Sequence, residues 1–252
     1  MRMGLCMNEE VERIYQLTEG LGAEDLLDWA FTAFGGHVEI ASAFGAEGVV
    51  LIDIASRIQS PVRVFTLDTD FLFPETYDLM QRLEQRYGFS IERIHSELTP
   101  QMQEDFYGPA LWSRDPDTCC NLRKIEPLRR KLATLQAWVT SIRRDQTTAR
   151  ANAKKVEWDE QFHLVKINPL ADWTSAQVWQ YIHDHEVPHN PLHNQGYPSI
   201  GCTYCTRAVL PGEDARAGRW SGFAKTECGL HQRPVSSDVV RIALPASAEE
   251  SC

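Results

Sequence analysis

Residues 37–67 read HVEIASAFGAEGVVLIDIASRIQSPVRVFTL, and this stretch decides the fold class. Its apolar pattern predicts a strand at His37–Phe44, a largely buried helix at Glu47–Ile58 and a second strand at Val62–Leu67. A strand, a helix of this length and another strand typically form a parallel βαβ unit. The sequence therefore predicts an α/β fold: an open, mostly parallel sheet with helices on both faces.

The alternation of helices and strands continues on both sides of this unit. Residues 23–34 predict a helix that stops at two glycines, and Pro74 begins another helix that ends at Gly88. The remaining predicted elements are a helix from Asn8 towards Gly20 and strands at Ile91–Ile94, Ala137–Ile142 and His163–Ile167. We expect a single α/β domain over residues 1–231 and a polar tail at 232–252.

Composition and charge exclude several classes of protein. The 252 residues contain 25 Lys and Arg against 35 Asp and Glu, so the formal net charge is −10. This acidic balance argues against a general nucleic-acid binder. No apolar run approaches the ~20 residues that span a bilayer, and residues 1–10 lack the apolar core of a secretory signal. We expect a cytoplasmic protein with neither a membrane nor a nucleic acid as partner.

The seven cysteines indicate metal or thiol chemistry, because an odd count without an export signal makes a disulfide framework improbable. Cys119-Cys120 and Cys202-x-x-Cys205 together offer four thiolates, which can bind zinc or an iron–sulfur cluster. Adjacent cysteine side chains diverge, so they bind different iron atoms of a cluster more easily than one zinc ion. The spacing favours a cluster and leaves zinc, or unrelated buried thiols, as alternatives.

Basic residues are concentrated near these cysteines. Three segments, 123–131, 143–155 and 207–233, hold 15 of the 25 Lys and Arg. Arg143-Arg144 and Arg150 follow a predicted strand, and forked guanidinium groups suit a phosphate-like or sulfate-like group. The segments predict an anion pocket near the thiols, with solvated surface as the alternative.

Two predicted strands end in loops that suit a ligand. Residues 42–48 (SAFGAEG) join a strand to a helix, where backbone N–H groups can bind an anion. Residues 66–70 (TLDTD) end the second strand, and open α/β sheets bind ligands outside the carboxyl ends of their strands. The alternatives to ligand binding are a purely structural turn at the first loop and a role for Asp68 as the cap of a helix or turn.

Cys228, in the segment KTECGLH at 225–231, is a candidate nucleophile. A buried structural thiol is the alternative. The neighbouring Glu227 disfavours a thiolate, so activation has to come from other groups, for which Arg216, Arg219 and His231 are the candidates.

Taken together, the motifs resemble those of the assimilatory adenylyl-sulfate / phosphoadenylyl-sulfate reductase family. The resemblance runs from about Ser42 to His231 and includes eight motifs in order. They are SAFGAEGVVLIDIA, TLDTDFLFPETYDL, CCNLRKIEPL, SIRRDQTTAR, NPLADWT, PHNPLHNQGYPSIGCTYC, GRW and KTECGLH. Any one is suggestive, and eight in order are highly specific.

The resemblance implies a fold like that of the adenine-nucleotide α-hydrolases and ATP-pyrophosphatases, with SAFGAE in place of the serine-glycine-rich pyrophosphate loop. It implies that the Cys228 thiolate attacks the phosphosulfate sulfur, expelling AMP and leaving an S-sulfonate. Thioredoxin or a glutaredoxin-like dithiol would then release sulfite. The segment around Cys228 would be mobile, to meet both partners. The sequence leaves both a monomer and a homo-oligomer open.

The family's site residues map onto this sequence by position. Its [4Fe–4S] ligands correspond to Cys119, Cys120, Cys202 and Cys205. Its nucleotide-binding positions correspond to Ser42, Phe44, Leu67 and Asp68, and its basic substrate-binding positions to Lys124, Arg143, Arg144, Arg150, Arg216, Arg219 and His231.

Members of this family with the full four-cysteine set generally resemble adenylyl-sulfate reductases, so the resemblance implies adenylyl sulfate as substrate, in sulfate assimilation and cysteine biosynthesis. The alternatives are 3′-phosphoadenylyl sulfate or both nucleotides. More remote alternatives are an ATP-dependent sulfur-transfer enzyme and a nucleotide-binding regulator with a metal site. A resolving-thiol role for the C-terminal Cys252 is a further, weaker possibility.

Overall fold

The sheet organises the molecule. A computed structural model describes residues 13–225 and 227–230. Within them, six strands form one sheet in the order β3-β2-β1-β4-β6-β5. The strands are β1 Val38–Ala41, β2 Val64–Asp68, β3 Ile91–His95, β4 Ala137–Val139, β5 Val156–Asp159 and β6 Leu164–Ile167. All neighbours pair in parallel except β5, which is antiparallel to β6. The predicted mostly parallel sheet is confirmed.

The helices surround this sheet. They are α1 Ala23–Phe34, α2 Ala46–Ile58, α3 Pro74–Tyr87, α4 Pro100–Tyr107, α5 Pro116–Cys120, α6 Glu126–Leu132 and α7 Ser175–Asp184. A π-helical turn, Asn121–Ile125, joins α5 to α6. Residues 13–18 are also helical. No helix among the described residues is long and apolar enough to cross a membrane.

Both faces of the sheet are buried because successive strand residues point to opposite faces. On β2, Val64 joins the large core cluster formed with α1, α2, α3 and α7, whereas Phe65 joins a second cluster. That second cluster contains Trp138 of β4 and Leu128 and Leu132 of α6. Helices therefore cover both faces, which explains why β2 and β4 read as nearly continuous apolar runs.

The strand order creates a crevice at the edge of the sheet formed by the carboxyl ends of its parallel strands. From β1 the chain adds β2 and then β3 on one side, and it later places β4 on the other side of β1. Ligands of open α/β sheets bind where the strand order reverses in this way. The loops that follow β1, β2 and β4 meet at this edge, and they are the loops that carry the predicted nucleotide and arginine positions.

The structure corrects several predicted elements. The first strand ends at Ala41 rather than Phe44, because the chain turns at Phe44, whose φ is +57°. Strand β5 and helices α4, α5, α6 and α7 were not predicted. Helix α7 carried a recognisable signal, since Thr174 and Gln177 form a capping box. Asn8 and the tail at 232–252 lie outside the described residues.

Candidate active site

The four predicted ligand cysteines lie around one small cavity. Cys119 and Cys120 end helix α5, and Cys202 and Cys205 flank a single 3-10 turn. The two pairs meet because Cys202 forms an antiparallel bridge with Leu72, beyond the end of β2. Three of these cysteines, Cys119, Cys120 and Cys202, are less than 9% exposed. Tertiary contacts thus bring together thiols that lie more than 80 residues apart in the chain.

The protein environment disfavours thiolates at this cavity. Burial, followed by repulsion from the neighbouring sulfurs, raises the pKa of Cys119 to about 12. The same causes raise the pKa of Cys205 to about 11. Four thiolates at such a site need cationic metal to compensate them. The donor set therefore fits a sulfur-ligated metal centre.

The spacing of the sulfurs and the neighbouring Arg123 bear on the kind of metal centre that this cavity could hold. A zinc tetrahedron with Zn–S bonds of about 2.3 Å places its sulfurs about 3.8 Å apart. No three of the described cysteine sulfurs lie within 4.8 Å of one another. Arg123, which lines the same cavity, is 1% exposed, and its Nη2 has no hydrogen-bond partner among the described residues. A cluster with its own inorganic sulfides offers acceptors for such a donor.

The segment containing Cys228 is docked against the protein on both sides of the thiol. On one side, the Glu227 carboxylate accepts a hydrogen bond of 2.8 Å from Arg150. On the other side, Leu230 packs against the core cluster under α6. Between them, Gly229 lies so close to Ile125 that a Cβ would be 2.8 Å from its Cδ1. The docked segment positions Cys228, which is half-buried.

Lys124 connects Cys228 to the cysteine cavity. Burial by itself would lower the pKa of Lys124, but the sulfurs of Cys202, Cys120 and Cys228 outweigh burial and raise it. The ammonium group therefore lies within electrostatic range of both the candidate nucleophile and the ligand cysteines. A cation in this position attracts an anion that binds beside Cys228.

Three of the predicted arginines gather near Cys228. Arg150 and Arg216 both bind Glu227, and Arg219 is near enough to Arg216 to help lower its pKa, after burial as the main cause. Arg219 lies against the loop of the second cysteine pair, where a Cβ at Gly201 would be only 2.2 Å from its Nη2. We call this cluster of three arginines around Glu227 the basic pocket.

The adjacent arginines Arg143 and Arg144 contact different parts of the chain. Arg143 is buried and donates from Nε to Glu47 of α2 over 3.0 Å, so it lies beside the loop after β1. Arg144 instead binds Glu19 and the Ala153 carbonyl. The structure therefore brings Arg143 to the crevice and gives Arg144 contacts with another part of the chain.

The predicted nucleotide positions meet at the carboxyl ends of β1 and β2. Ser42 Oγ accepts a hydrogen bond from the Phe44 amide over 3.1 Å, which shapes the turn before α2. A Cβ at Gly48 would lie 2.6 Å from Ser42 Oγ, so this approach requires glycine. Asp68 is buried and accepts a hydrogen bond from Tyr77. Leu67 lies beside it, half-buried, at the end of β2.

Sequence reasoning missed three contributors to this site. Glu47 orients Arg143, Gln146 accepts a hydrogen bond of 2.6 Å from Arg150, and Thr147 donates one of 3.3 Å to Glu227. Their positions in predicted loops were visible, but their partners were not, because each contact joins segments set by the tertiary fold. His231, also a predicted site residue, lies outside the described residues.

Gly229→Ala is expected to undock the Cys228 segment. The φ of Gly229 is +88°, and the added methyl group also meets Ile125. Left-handed strain alone costs about 1–2 kcal/mol, which raises the undocked fraction about 5–30-fold. The rate of Cys228 alkylation by iodoacetamide, mapped by mass spectrometry, should rise accordingly.

Gly212→Ala is the matched control for this prediction. Gly212 has a φ of +87°, and no atom lies within 4 Å of the place where a methyl group would stand, so it shares the backbone strain without the contact at Ile125. It should leave the alkylation of Cys228 unchanged. Equal alkylation rates in the two variants would show that Gly229 does not hold the segment.

Comparison with known proteins links this geometry to one family. Residues 37–208 match the phosphoadenosine phosphosulfate reductase domain. The chain is 47% identical over 231 residues to the adenosine 5′-phosphosulfate reductase of Halalkalibacterium halodurans, covering 91% of this chain and 100% of that relative.

Among solved structures, the chain also resembles a phosphoadenylyl-sulfate reductase. The chain is similar to the phosphoadenylyl-sulfate reductase of Candida auris, solved as a phosphate complex, with a TM-score of 0.70 and 30% identity over 80% of this chain and 97% of that one. The FMN adenylyltransferase of Candida glabrata shares the fold alone, with a TM-score of 0.52 and 16% identity over 72% of this chain and 60% of that one. The predicted adenine-nucleotide α-hydrolase-like fold is confirmed.

Proposed function

The chain belongs to the phosphoadenosine phosphosulfate reductase family, and from this we propose that it reduces adenylyl sulfate (adenosine 5′-phosphosulfate) to sulfite and AMP in sulfate assimilation. The observation that carries the proposal is the position of Cys228. Its thiol lies within electrostatic range of Lys124 and Arg216, and the adjacent Glu227 is bound by Arg150 and Arg216. A nucleophile and an anion-binding pocket therefore adjoin each other, as attack on a sulfate group requires.

In the first step, the Cys228 thiolate attacks the sulfur of the phosphosulfate. A bond forms between Sγ and that sulfur, and the bond from the sulfur to the bridging oxygen breaks, so AMP leaves with the electron pair. The anionic oxygens around the sulfur repel a thiolate, and Lys124 with the arginines offsets this repulsion and stabilises the charge on departing AMP. Cys228 is left as an S-sulfonate.

In the second step, a dithiol protein of the thioredoxin or glutaredoxin class supplies the reducing electrons. One of its thiolates attacks Cys228 Sγ, the bond from Sγ to the SO₃ group breaks, and sulfite leaves. Its second thiolate then resolves the mixed disulfide and regenerates the Cys228 thiolate. The electron pair comes from the dithiol, which ends as a disulfide, while sulfur(VI) becomes sulfur(IV). The segment around Cys228 has to move for this step.

Four cysteines are the proposed ligands of one [4Fe–4S] cluster: the buried Cys119, Cys120 and Cys202 and the half-buried Cys205. The burial of three of these cysteines, and the Arg123 Nη2 beside them that has no hydrogen-bond partner in the described part of the chain, support this cofactor. When bound, the cluster supplies an electrostatic influence on the neighbouring basic pocket and leaves the transfer of electrons to the dithiol. Lys124 lines the cysteine cavity and is within electrostatic range of Cys228, so its charge is shared by the ligand cysteines and the proposed nucleophile.

The nucleotide is proposed to bind at the edge of the sheet. Ser42, Phe44, Leu67 and Asp68 lie at the carboxyl ends of β1 and β2, where this fold class binds its ligands. The relatives named as adenosine 5′-phosphosulfate reductases at 46–47% identity favour the substrate without a 3′-phosphate. The 3′-phosphorylated nucleotide is the alternative, since the Candida auris structure belongs to an enzyme named for it.

Intact-protein mass spectrometry tests the proposal. Anaerobically purified protein is incubated without reductant, in parallel with adenylyl sulfate and its 3′-phospho form. We expect a gain of one SO₃ group on Cys228, reversed by thioredoxin and formed faster from adenylyl sulfate. Faster reaction of the 3′-phospho form would reverse the choice of substrate. No adduct from either nucleotide, with iron content intact, would overturn the proposed function.

A further inference from the structure

We propose that the Glu227 carboxylate is an internal counter-anion, which occupies the Arg150–Arg216 pair in the absence of substrate and competes with the anionic end of adenylyl sulfate for it. This inference rests on the proposed function and concerns regulation of the same pocket. Glu227 acts through the two arginines and is therefore a positioning residue.

The contacts of Glu227 are those of a bound anion. Its Oε2 accepts hydrogen bonds from Arg150 Nη2 at 2.8 Å and from Arg216 Nη2 at 3.2 Å. Its Oε1 accepts one from Thr147 Oγ1 at 3.3 Å. The Glu227 side chain is 10% exposed, and those of Arg150 and Arg216 are 12% and 19% exposed, so solvent screens these interactions little. A sulfate or phosphate oxygen would find the same donors in this pocket.

The pocket contains more donors than one carboxylate uses. Arg150 Nε and Arg219 Nε are both buried without a hydrogen-bond partner among the described residues. Arg216, Arg150 and Arg219 also lie close enough to repel one another, and this repulsion adds to burial in lowering the pKa of Arg216. Glu227 compensates part of this positive charge, and a phosphosulfate, with two negative charges, compensates more of it.

The other anchors of the segment make the exchange feasible. Gly229 at Ile125 and Leu230 in its core cluster hold the Cys228 region without using either arginine. The Glu227 side chain can therefore leave the arginines while Cys228 stays docked. When the anionic products leave, Glu227 returns to the pair, which keeps the guanidinium groups compensated and opposes rebinding of the products.

The test measures binding in a Cys228→Ser background, where adenylyl sulfate cannot react. Glu227→Gln replaces charge-assisted hydrogen bonds to the two arginines with neutral ones, which are about half as strong. The substituted side chain therefore competes less well with adenylyl sulfate for the arginines, and we expect the affinity for adenylyl sulfate to increase about tenfold. Neutral adenosine should bind equally well to both proteins. Unchanged or weakened binding of adenylyl sulfate, with adenosine binding intact, would overturn the inference.

Two further variants secure the interpretation. Glu92→Gln, on β3, removes a carboxylate that pairs with Lys131 of α6, and it should leave adenylyl sulfate affinity unchanged. Glu227→Asp keeps the negative charge and should keep the lower affinity; an affinity as high as that of Glu227→Gln would contradict competition by charge. The S-sulfonate assay on the unsubstituted chain separates the two proposals. If the adduct forms while Glu227→Gln fails to increase affinity, only this inference falls.

Discussion

Replacing Cys228 with serine is expected to abolish S-sulfonate formation and sulfite release while leaving the binding of adenylyl sulfate largely intact. A cysteine thiol ionises to a few per cent at neutral pH and is intrinsically very nucleophilic, whereas a serine hydroxyl needs an adjacent base. Loss of a nucleophile typically costs about 10³-fold or more in rate. The thiol contributes little to docking, because Glu227, Gly229 and Leu230 make the contacts.

The measurement is anaerobic sulfite release with a dithiol reductant, together with nucleotide binding by calorimetry. Cys252→Ser serves as the control, since it also replaces a thiol with a hydroxyl and tests the resolving-thiol alternative. We expect it to retain turnover. Appreciable sulfite release by Cys228→Ser would remove Cys228 from the role of nucleophile, and loss of turnover in Cys252→Ser would give the C-terminal thiol an essential part.

Replacing Cys202 with alanine is expected to remove iron and visible absorbance together. Cys202 is 8% exposed, is within 3.3 Å of Thr69 Oγ1 and joins the second cysteine pair to the end of β2 through its bridge to Leu72. Loss of a residue that merely supports a metal ligand costs about 10–100-fold in affinity. Loss of a direct ligand should therefore cost more, and the purified variant should contain little iron.

Iron and zinc are measured per chain, with the absorbance spectrum recorded on the same sample. Cys6→Ser is the control, because Cys6 is outside the proposed ligand set, and it should retain iron and colour. Full iron in Cys202→Ala would exclude Cys202 as a ligand. Stoichiometric zinc in a fully active unsubstituted protein would overturn the proposed cluster and leave the four cysteines as a zinc site.

The Cys228 segment illustrates what sequence reasoning could reach. The residue types in KTECGLH identified a thiol in a basic setting, and Glu227 was expected to oppose a thiolate. In the structure that carboxylate is bound by Arg150 and Arg216, so its charge is largely compensated. Arg150 lies 77 residues away in sequence, and no local pattern specifies a partner at that distance.

The arginine pair after β4 gives a second example. Arg143 and Arg144 are identical in type and adjacent in sequence, so both were candidate substrate ligands. Only the path of the backbone decides that Arg143 faces Glu47 and that Arg144 faces Glu19. Strand β5 was missed because its alternating VEWD sequence is only four residues long, and its place in the sheet depends on antiparallel pairing with β6.

The sequence by itself determined the parallel βαβ core and identified the candidate thiols and basic residues, because apolar periodicity and residue type act locally along the chain. The tertiary structure alone decided which charges pair, which arginine reaches the crevice and how the two cysteine pairs meet. Electrostatic and hydrogen-bonding energies depend on distances through space, and those distances are set only when the sheet and its loops are assembled.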